Sequence, residues 1–182
     1  PPQQNVSPMK KLCFIPLIVL MVSTLASAEN DAASILPNGD LEGGNVNWPV
    51  GKGITVEEEG GNHFLRLVAE EPGVQIQAHR IVKLPAGVQK LNVSFRVRFE
   101  GITPGAQPWH RGSVIMHFKD ANGQLLKPDP APFAFKGSSN GWVDKSVQLA
   151  VPPDATSLEF MPALFQVAAG TLDIDDMKVV PE

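Results

Sequence analysis

A strict alternation of apolar and polar residues constrains the fold of this chain more than any other feature. From Leu91 to Phe99 every second residue is apolar, and the residues between them are Asn, Ser and Arg. Successive side chains of a strand point to opposite faces of a sheet, so this pattern predicts a strand with one face in a core and the other in solvent. After residue 44 the sequence shows no helical periodicity.

Shorter runs of the same kind follow one another along the chain. The segments between them are rich in turn-forming residues, and the chain contains 16 Gly and 17 Pro. Many short strands at regular spacing predict an all-β fold, an antiparallel β-sandwich or barrel. Besides the strand at residues 91–100, the predicted strands are residues 54–58, 64–69, 74–84, 113–119, 143–151, 157–166 and 171–180.

The first 28 residues predict a secretory signal rather than part of the fold. After an upstream extension with no assigned function, residues 9–11 form a positive start, residues 12–22 an apolar run, and the segment ending at Ala28 has the small residues of a cleavage site. The apolar run is shorter than the roughly 20 residues that span a bilayer, so no membrane span is predicted. We therefore expect a secreted or periplasmic protein whose single domain is residues 29–182.

Composition excludes several classes of site and partner. The only cysteine, Cys13, lies in the predicted signal, so the expected domain has no disulfide, thiolate metal site or cysteine nucleophile. The formal net charge is −4, and loss of the two lysines of the signal makes it −4 − 2 = −6. An acidic domain without lysine or arginine clusters is not expected to bind nucleic acid or anionic membranes.

Three aspartates, Asp173, Asp175 and Asp176, interrupt the last predicted strand. Aspartate is depleted in strands, and neighbouring carboxylates repel one another. Two explanations remain open from the residues alone. The aspartates are solvated residues of an edge strand that discourage pairing with other sheets, or they bind a cation.

Four motifs in a fixed order resemble the jelly-roll carbohydrate-binding modules attached to bacterial xylanases and cellulases, which have a galactose-binding-like fold. The motifs span essentially the whole expected domain, although none is specific by itself. The resemblance implies a jelly-roll β-sandwich, non-catalytic binding of a polysaccharide or oligosaccharide, and a structural calcium ion. The motifs are residues 36–42 followed by Trp48, residues 84–87 leading into 91–98, Gly141-Trp142 followed by Val151-Pro152, and residues 172–177.

The resemblance also implies which residues bind the calcium ion. In those modules the acidic residue after the opening turn and an aspartate of the closing motif commonly coordinate the metal. Here these are Glu42 and Asp175, with Asp176 and Asp40 as further candidates. Calcium takes 6–8 oxygen ligands, which carboxylates and loop carbonyls at this end of a sandwich could supply. Asp173 is then expected to be a solvent or turn residue.

Candidate sugar-binding residues follow from the need for flat apolar surface and planar polar groups. Trp109 lies in the predicted loop at residues 103–111 and is the stacking candidate; the alternative is that it caps the end of the sandwich. Trp48 and Trp142 are expected in the core, because the resembling modules usually carry a core tryptophan at these positions.

The polar candidates lie on predicted strands. Gln77 shares a strand face with His79, Arg96 shares one with Arg98, and His117 lies opposite the apolar residues of its strand. If these strands are neighbours in one sheet, the side chains form a patch for sugar hydroxyls or for a uronate carboxylate, which arginine can bind in a bidentate way.

Catalysis has weaker support in the sequence. The acidic runs lie beside loops, and the four histidines have neither zinc-protease spacing nor a triad order. Two other hypotheses remain open: a jelly-roll polysaccharide lyase that uses His79 or His117 with Arg96, and a structural or adhesion module that binds protein through the same fold.

Overall fold

The computed structural model describes Pro1, Pro2 and residues 33–182. Within these residues the chain forms ten β-strands and no helix. The strands are β1 (Ile54–Glu59), β2 (Asn62–Val68), β3 (Ile76–Gln77), β4 (Arg80–Lys83), β5 (Lys90–Thr103), β6 (Gly112–Lys119), β7 (Phe133–Phe135), β8 (Val143–Ala150), β9 (Ser157–Leu164) and β10 (Ala169–Pro181).

The strands form two antiparallel sheets whose inner faces share one hydrophobic core. Sheet A has the order β1-β2-β10-β5-β8. In sheet B, β6 lies between β9 and β7, and both β3 and β4 pair with the other edge of β9. The core contains buried residues of both sheets, including Leu91 of β5 and Phe160 of β9. The predicted all-β antiparallel sandwich is therefore confirmed.

The alternation that predicted a half-buried strand is confirmed in β5. Leu91, Val93 and Val97 are fully buried, whereas Asn92 is exposed and Arg98 is partly exposed. Burial of a Val or Leu side chain contributes roughly 1.5–3 kcal/mol. The inward residues of this strand thus hold it against the core, between β10 and β8 of sheet A.

The last strand differs from the edge strand that the sequence allowed. β10 lies between β2 and β5 and pairs with both. The pairing with β5 shifts register between Asp175 and Lys178, and Asp176 in this bulge has a φ of +48°. The aspartates therefore occupy the centre of sheet A, and the explanation that they protect an exposed edge is wrong.

The opening segment packs directly against this central strand. The N–H of Met177 donates to the carbonyl of Gly39 over 2.8 Å, and the N–H of Ile35 donates to the carbonyl of Val179, also over 2.8 Å. A Cβ on Gly39 would lie 1.9 Å from the Met177 carbonyl oxygen, so only glycine fits here. The opening and closing motifs of the sequence meet at this contact.

The predicted secretory signal lies almost wholly outside the described residues. For the part of the chain that is described, there is no helix of the length and apolar character needed to cross a bilayer.

Candidate functional site

The polar patch expected from the sequence is divided between the two sheets. Arg96 and Arg98 lie on β5 of sheet A, whereas Gln77 lies on β3 and His117 on β6 of sheet B. Because the outer faces of a sandwich point in opposite directions, these residues cannot form one surface. The prediction of a single polar patch is therefore wrong. The lyase hypothesis required Arg96 to act together with His79 or His117, and that combination is wrong as well.

The arginines of sheet A are hydrogen-bonded to the aspartates of β10. Asp173 accepts from Arg66 over 2.7 Å and from Arg98 over 3.0 Å, and Asp175 accepts from Arg96 over 2.5 Å. This hydrogen bond raises the pKa of Arg96, although burial opposes it. Asp173 is only 3% exposed, so the expectation of a solvent or turn residue is wrong. These guanidinium groups are already paired and do not offer a uronate a free bidentate partner.

Trp142 covers these ion pairs from the outer side of sheet A. The guanidinium carbons of Arg96 and Arg98 each lie 4.8 Å from the centre of its ring, and Phe64 meets it edge to face at 5.5 Å. Trp142 is partly buried and lies outside the core, contrary to expectation. Trp48 is buried at 4% exposure in the core, as expected. The sequence pattern could not distinguish the environments of Trp48 and Trp142. Trp142 lies directly before β8, and its side chain is on the outer side of sheet A.

The two principal calcium candidates accept hydrogen bonds from two adjacent residues of β2. Glu42 accepts from the backbone N–H of His63 over 3.0 Å, and Asp175 accepts from the Asn62 side chain over 2.9 Å. The other Asp175 oxygen accepts from the backbone N–H of Asp176 over 2.7 Å. Hydrogen-bond donors of the protein already occupy the oxygens of both carboxylates. Glu42 and Asp175 could therefore bind a calcium ion only if these donors were displaced.

The two further metal candidates lie nearer the surface. Asp40 is exposed and accepts from the backbone N–H of Glu42 over 3.4 Å, and Asp176 forms an ion pair with Arg96 over 3.0 Å. Within residues 33–182 no three His, Cys, Asp or Glu side chains are grouped so that they could hold a metal ion. The calcium ion stays a prediction.

The outward side chains of sheet A, which we call the sheet A face, carry a small excess of negative charge. By strand register and alternation this face carries six carboxylates, three guanidinium groups and two lysine ammonium groups. The carboxylates belong to Glu57, Glu59, Glu100, Asp144, Asp173 and Asp175, the guanidinium groups to Arg66, Arg96 and Arg98, and the ammonium groups to Lys90 and Lys178.

The outward side chains of sheet B form a second surface, the sheet B face, in rows that cross three strands. One row places Ser157 between Lys83 and Lys119, the next places Glu159 between Ile81 and His117, and a more distant row places Ala163 between Gln77 and Ser113. Between the last two lies a row formed by His79, Met161 and Ile115, which follows from the register.

Glu159 is the one charged residue among the buried residues of the sheet B rows, since it points outward and yet is only 6% exposed. Its carboxylate lies 3.0 Å from Nε2 of His79, 2.9 Å from Nζ of Lys119 and 3.6 Å from Nδ1 of His117. Burial raises the pKa of Glu159, but the hydrogen bonds from Lys119 and His79 outweigh it, and the pKa lies below its usual value. Glu159 is therefore a charged acceptor surrounded by donors.

Sequence reasoning missed Glu159, although a signal was present. It is the only charged residue in the eight residues of β9. A lone carboxylate in an otherwise apolar strand needs partners from neighbouring segments, and its partners are His79, directly before β4, and His117 and Lys119 of β6. Gln77 lies further along the face, where its side-chain amide contacts Sδ of Met161 over 3.0 Å.

Trp109 lies at the end of the sandwich where β9 finishes. It is 58% exposed, so it does not cap the core. Its ring meets His110 edge to face at 5.9 Å, and His110 contacts Phe165 at 5.9 Å. A Cβ on Gly105 would lie 2.1 Å from the Gln166 carbonyl oxygen, so glycine lets the loop that carries Trp109 pack closely against the chain after β9.

A cavity of about 330 Å³ lies beside this loop. Two prolines and two cations line it, namely Pro104, Pro108, Arg111 and Lys136. Arg111 precedes β6 and its carbonyl accepts from the N–H of Phe165 over 3.0 Å, which extends the β6 and β9 pairing by one row. The cavity therefore adjoins the loop end of the sheet B face.

Solved structures of similar fold include two carbohydrate-binding modules. A family 16 module is 22% identical with a TM-score of 0.57, and the match covers 80% of this chain and 99% of that one. A family 61 module in complex with β-1,4-galactotriose is 17% identical with a TM-score of 0.59, and the match covers 83% of this chain and 100% of that one. The chain therefore has the jelly-roll fold of carbohydrate-binding modules, as its motifs predicted.

Another similar structure is the enzymatically active domain of tailspike protein 4 of bacteriophage CBA120, at 15% identity and a TM-score of 0.63. The match covers 82% of this chain but only 21% of the tailspike chain, so the similarity concerns one domain of a larger protein. No protein-family model and no curated protein sequence matches this chain.

Proposed function

We propose that this protein is a secreted, non-catalytic glycan-binding module and that it binds its ligand along the sheet B face. The observation that carries the proposal is the Glu159 cluster, in which a charged carboxylate is held on an outer sheet face within 3.0 Å of His79 and Lys119. Sugar hydroxyls both donate and accept, and this cluster offers an acceptor beside donors in a fixed arrangement. The fold that this chain shares with two carbohydrate-binding modules supports the proposal.

Apolar contact surface is available beside the Glu159 cluster and at the loop end of the same face. Ile81 is 59% exposed in the row of Glu159, and Trp109 is 58% exposed at the loop end. A pyranose ring presents C–H groups that pack on flat apolar surface, and aromatic rings provide the most area. A glycan that lies along β9 would therefore meet a polar cluster first and an aromatic side chain last.

The arrangement of carboxylates favours binding over hydrolysis. Glycosidases use two carboxyl groups about 5 to 9.5 Å apart across the scissile bond. On the described sheet B face Glu159 is the only carboxylate that the rows contain. The proposal that the protein is exported rests on the predicted signal segment alone. The proposal of a structural calcium ion rests on the resemblance to carbohydrate-binding modules.

Titration of the full chain with a panel of soluble polysaccharides tests the proposal. We expect at least one glycan to bind. Glu159→Gln should weaken its binding about tenfold because a charge-assisted hydrogen bond is lost, and Trp109→Ala should do the same because a stacking surface is lost. The matched control is Glu100→Gln, which changes an exposed carboxylate of the sheet A face. Absence of binding across the panel, or release of unsaturated uronates from it, contradicts the proposal.

A further inference from the structure

The charge of the two outer faces differs in sign. The sheet A face carries six carboxylates against three guanidinium groups and two lysines, whereas the rows of the sheet B face carry Lys83 and Lys119 against Glu159 alone. The whole chain has a formal net charge of −4, so a surface with excess positive charge is a local exception. Segregation of charge onto one face attracts ligands of the opposite sign.

The positive charge is concentrated at one end of the sheet B face. Lys83 and Lys119 both pair with Ser157, on opposite sides of β9, and strands in a sheet lie about 4.8 Å apart. Their backbones are therefore roughly 10 Å apart, with a hydroxyl between them. Lys119 is hydrogen-bonded to Glu159, whereas the Lys83 side chain is exposed at the edge of the sheet.

A second pair of cations lies at the opposite end of the same face. Arg111 and Lys136 line the cavity of about 330 Å³ beside the loop of Trp109. From Ser157 to Phe165 the chain advances eight positions, and a strand rises about 3.4 Å per residue, so the two ends are separated by roughly 27 Å. A chain of several sugars, rather than one sugar, is required to reach both.

The carboxylate between these ends does not cancel their attraction. Glu159 is already paired with Lys119 and lies beside His79, and it is only 6% exposed. Its negative charge is thus balanced within the cluster. Lys83 at one end, and Arg111 with Lys136 at the other, remain as the net charge that a ligand meets.

We infer that the ligand of the sheet B face is an acidic glycan, a polysaccharide with uronate carboxylates repeated along its length. This inference rests on the proposed function and names its substrate class. Carboxylates of the chain contact Lys83 at one end and Arg111 at the other, while the hydroxyls between them contact Glu159 and Gln77.

Titration of the full chain with polygalacturonate and with a neutral galactan, each at low and high salt, tests the inference. We expect tighter binding of polygalacturonate, weakening as salt rises because exposed charges are screened. Lys83→Gln is expected to weaken polygalacturonate binding about tenfold, since a charge-assisted contact is lost. Lys90→Gln is the matched control, because Lys90 is exposed at the start of β5 in sheet A.

The outcomes separate this inference from the proposed function. If the galactan binds as tightly as polygalacturonate and Lys83→Gln changes neither, the acidic class is wrong while glycan binding stands. If duplex DNA binds as well as polygalacturonate, the face is a general polyanion surface and the inference is also wrong. If none of these polymers and no other glycan binds, both are wrong.

Discussion

Asp173 and Asp176 lie three positions apart in the sequence but in opposite environments. Asp173 is 3% exposed between Arg66 and Arg98, whereas the Asp176 side chain is 52% exposed. Removal of one partner from a buried ion pair leaves the other charge uncompensated and costs about 3–5 kcal/mol, less where the arginines are partly exposed. Asp175, which directly precedes Asp176, has no exposed surface.

We therefore expect Asp173→Ala to lower the free energy of unfolding by about 2–4 kcal/mol. Asp176→Ala is the matched control and should cost at most about 1 kcal/mol, because its ion pair is exposed. Urea denaturation of the two variants measures the difference. Equal effects would show that the Asp173 ion pairs contribute little to stability.

Glu159 makes stability depend on pH through its lowered pKa. A carboxyl group with a lower pKa in the folded than in the unfolded state stabilises the fold above its unfolded pKa, and this contribution is lost as pH falls through the folded pKa. We expect unfolding free energy to fall on acidification, with a smaller fall in Glu159→Gln. Denaturation at neutral and acidic pH measures this, and an identical loss in both proteins would contradict the assignment.

At the scale of elements, alternation predicted which residues of a strand face the core but not which strands are neighbours. β5 was predicted correctly because its pattern depends only on its own residues. The position of β10 and the separation of Arg96 from His117 depend on long-range pairing, which alternation does not encode. For the same reason Glu159 could be recognised only once β4 and β6 were placed beside β9.

Gly39 joins two elements that are distant in sequence, the opening segment and β10. A Cβ there would lie 1.9 Å from the Met177 carbonyl oxygen, so Gly39→Ala must separate the segment from the strand. We expect a loss of about 1–3 kcal/mol of stability. Gly51→Ala is the control, since no atom lies within 4 Å of its added Cβ and its φ is not positive. If both variants melt at the same temperature, the close contact is not required.

At the scale of the whole molecule, the predicted calcium ion would join the opening segment to the last strand through Glu42 and Asp175. The hydrogen bonds of Glu42 to His63 and of Asp175 to Arg96 show the donors that the ion must displace. If calcium binds, it stabilises the fold by about 2.7 kcal/mol at one hundred times its dissociation constant.

A chelator should then lower the melting temperature of the wild type but not of Glu42→Gln, in which a proposed ligand loses its charge. Glu42 is suitable because its side chain is 48% exposed, so the substitution leaves the core intact. A melting temperature that does not respond to chelator in the wild type would contradict the calcium prediction and leave Arg96 as the cation bound to Asp175.

The central claim is that this sandwich binds glycan on the sheet B face, and chemical-shift mapping during an oligosaccharide titration tests it most directly. The ligand is an oligomer of the glycan that binds most tightly to the full chain. We predict that shifts concentrate at Gln77, Glu159 and His117 and extend towards Trp109, while Arg96 is unaffected. Shifts confined to the sheet A face would contradict the claim.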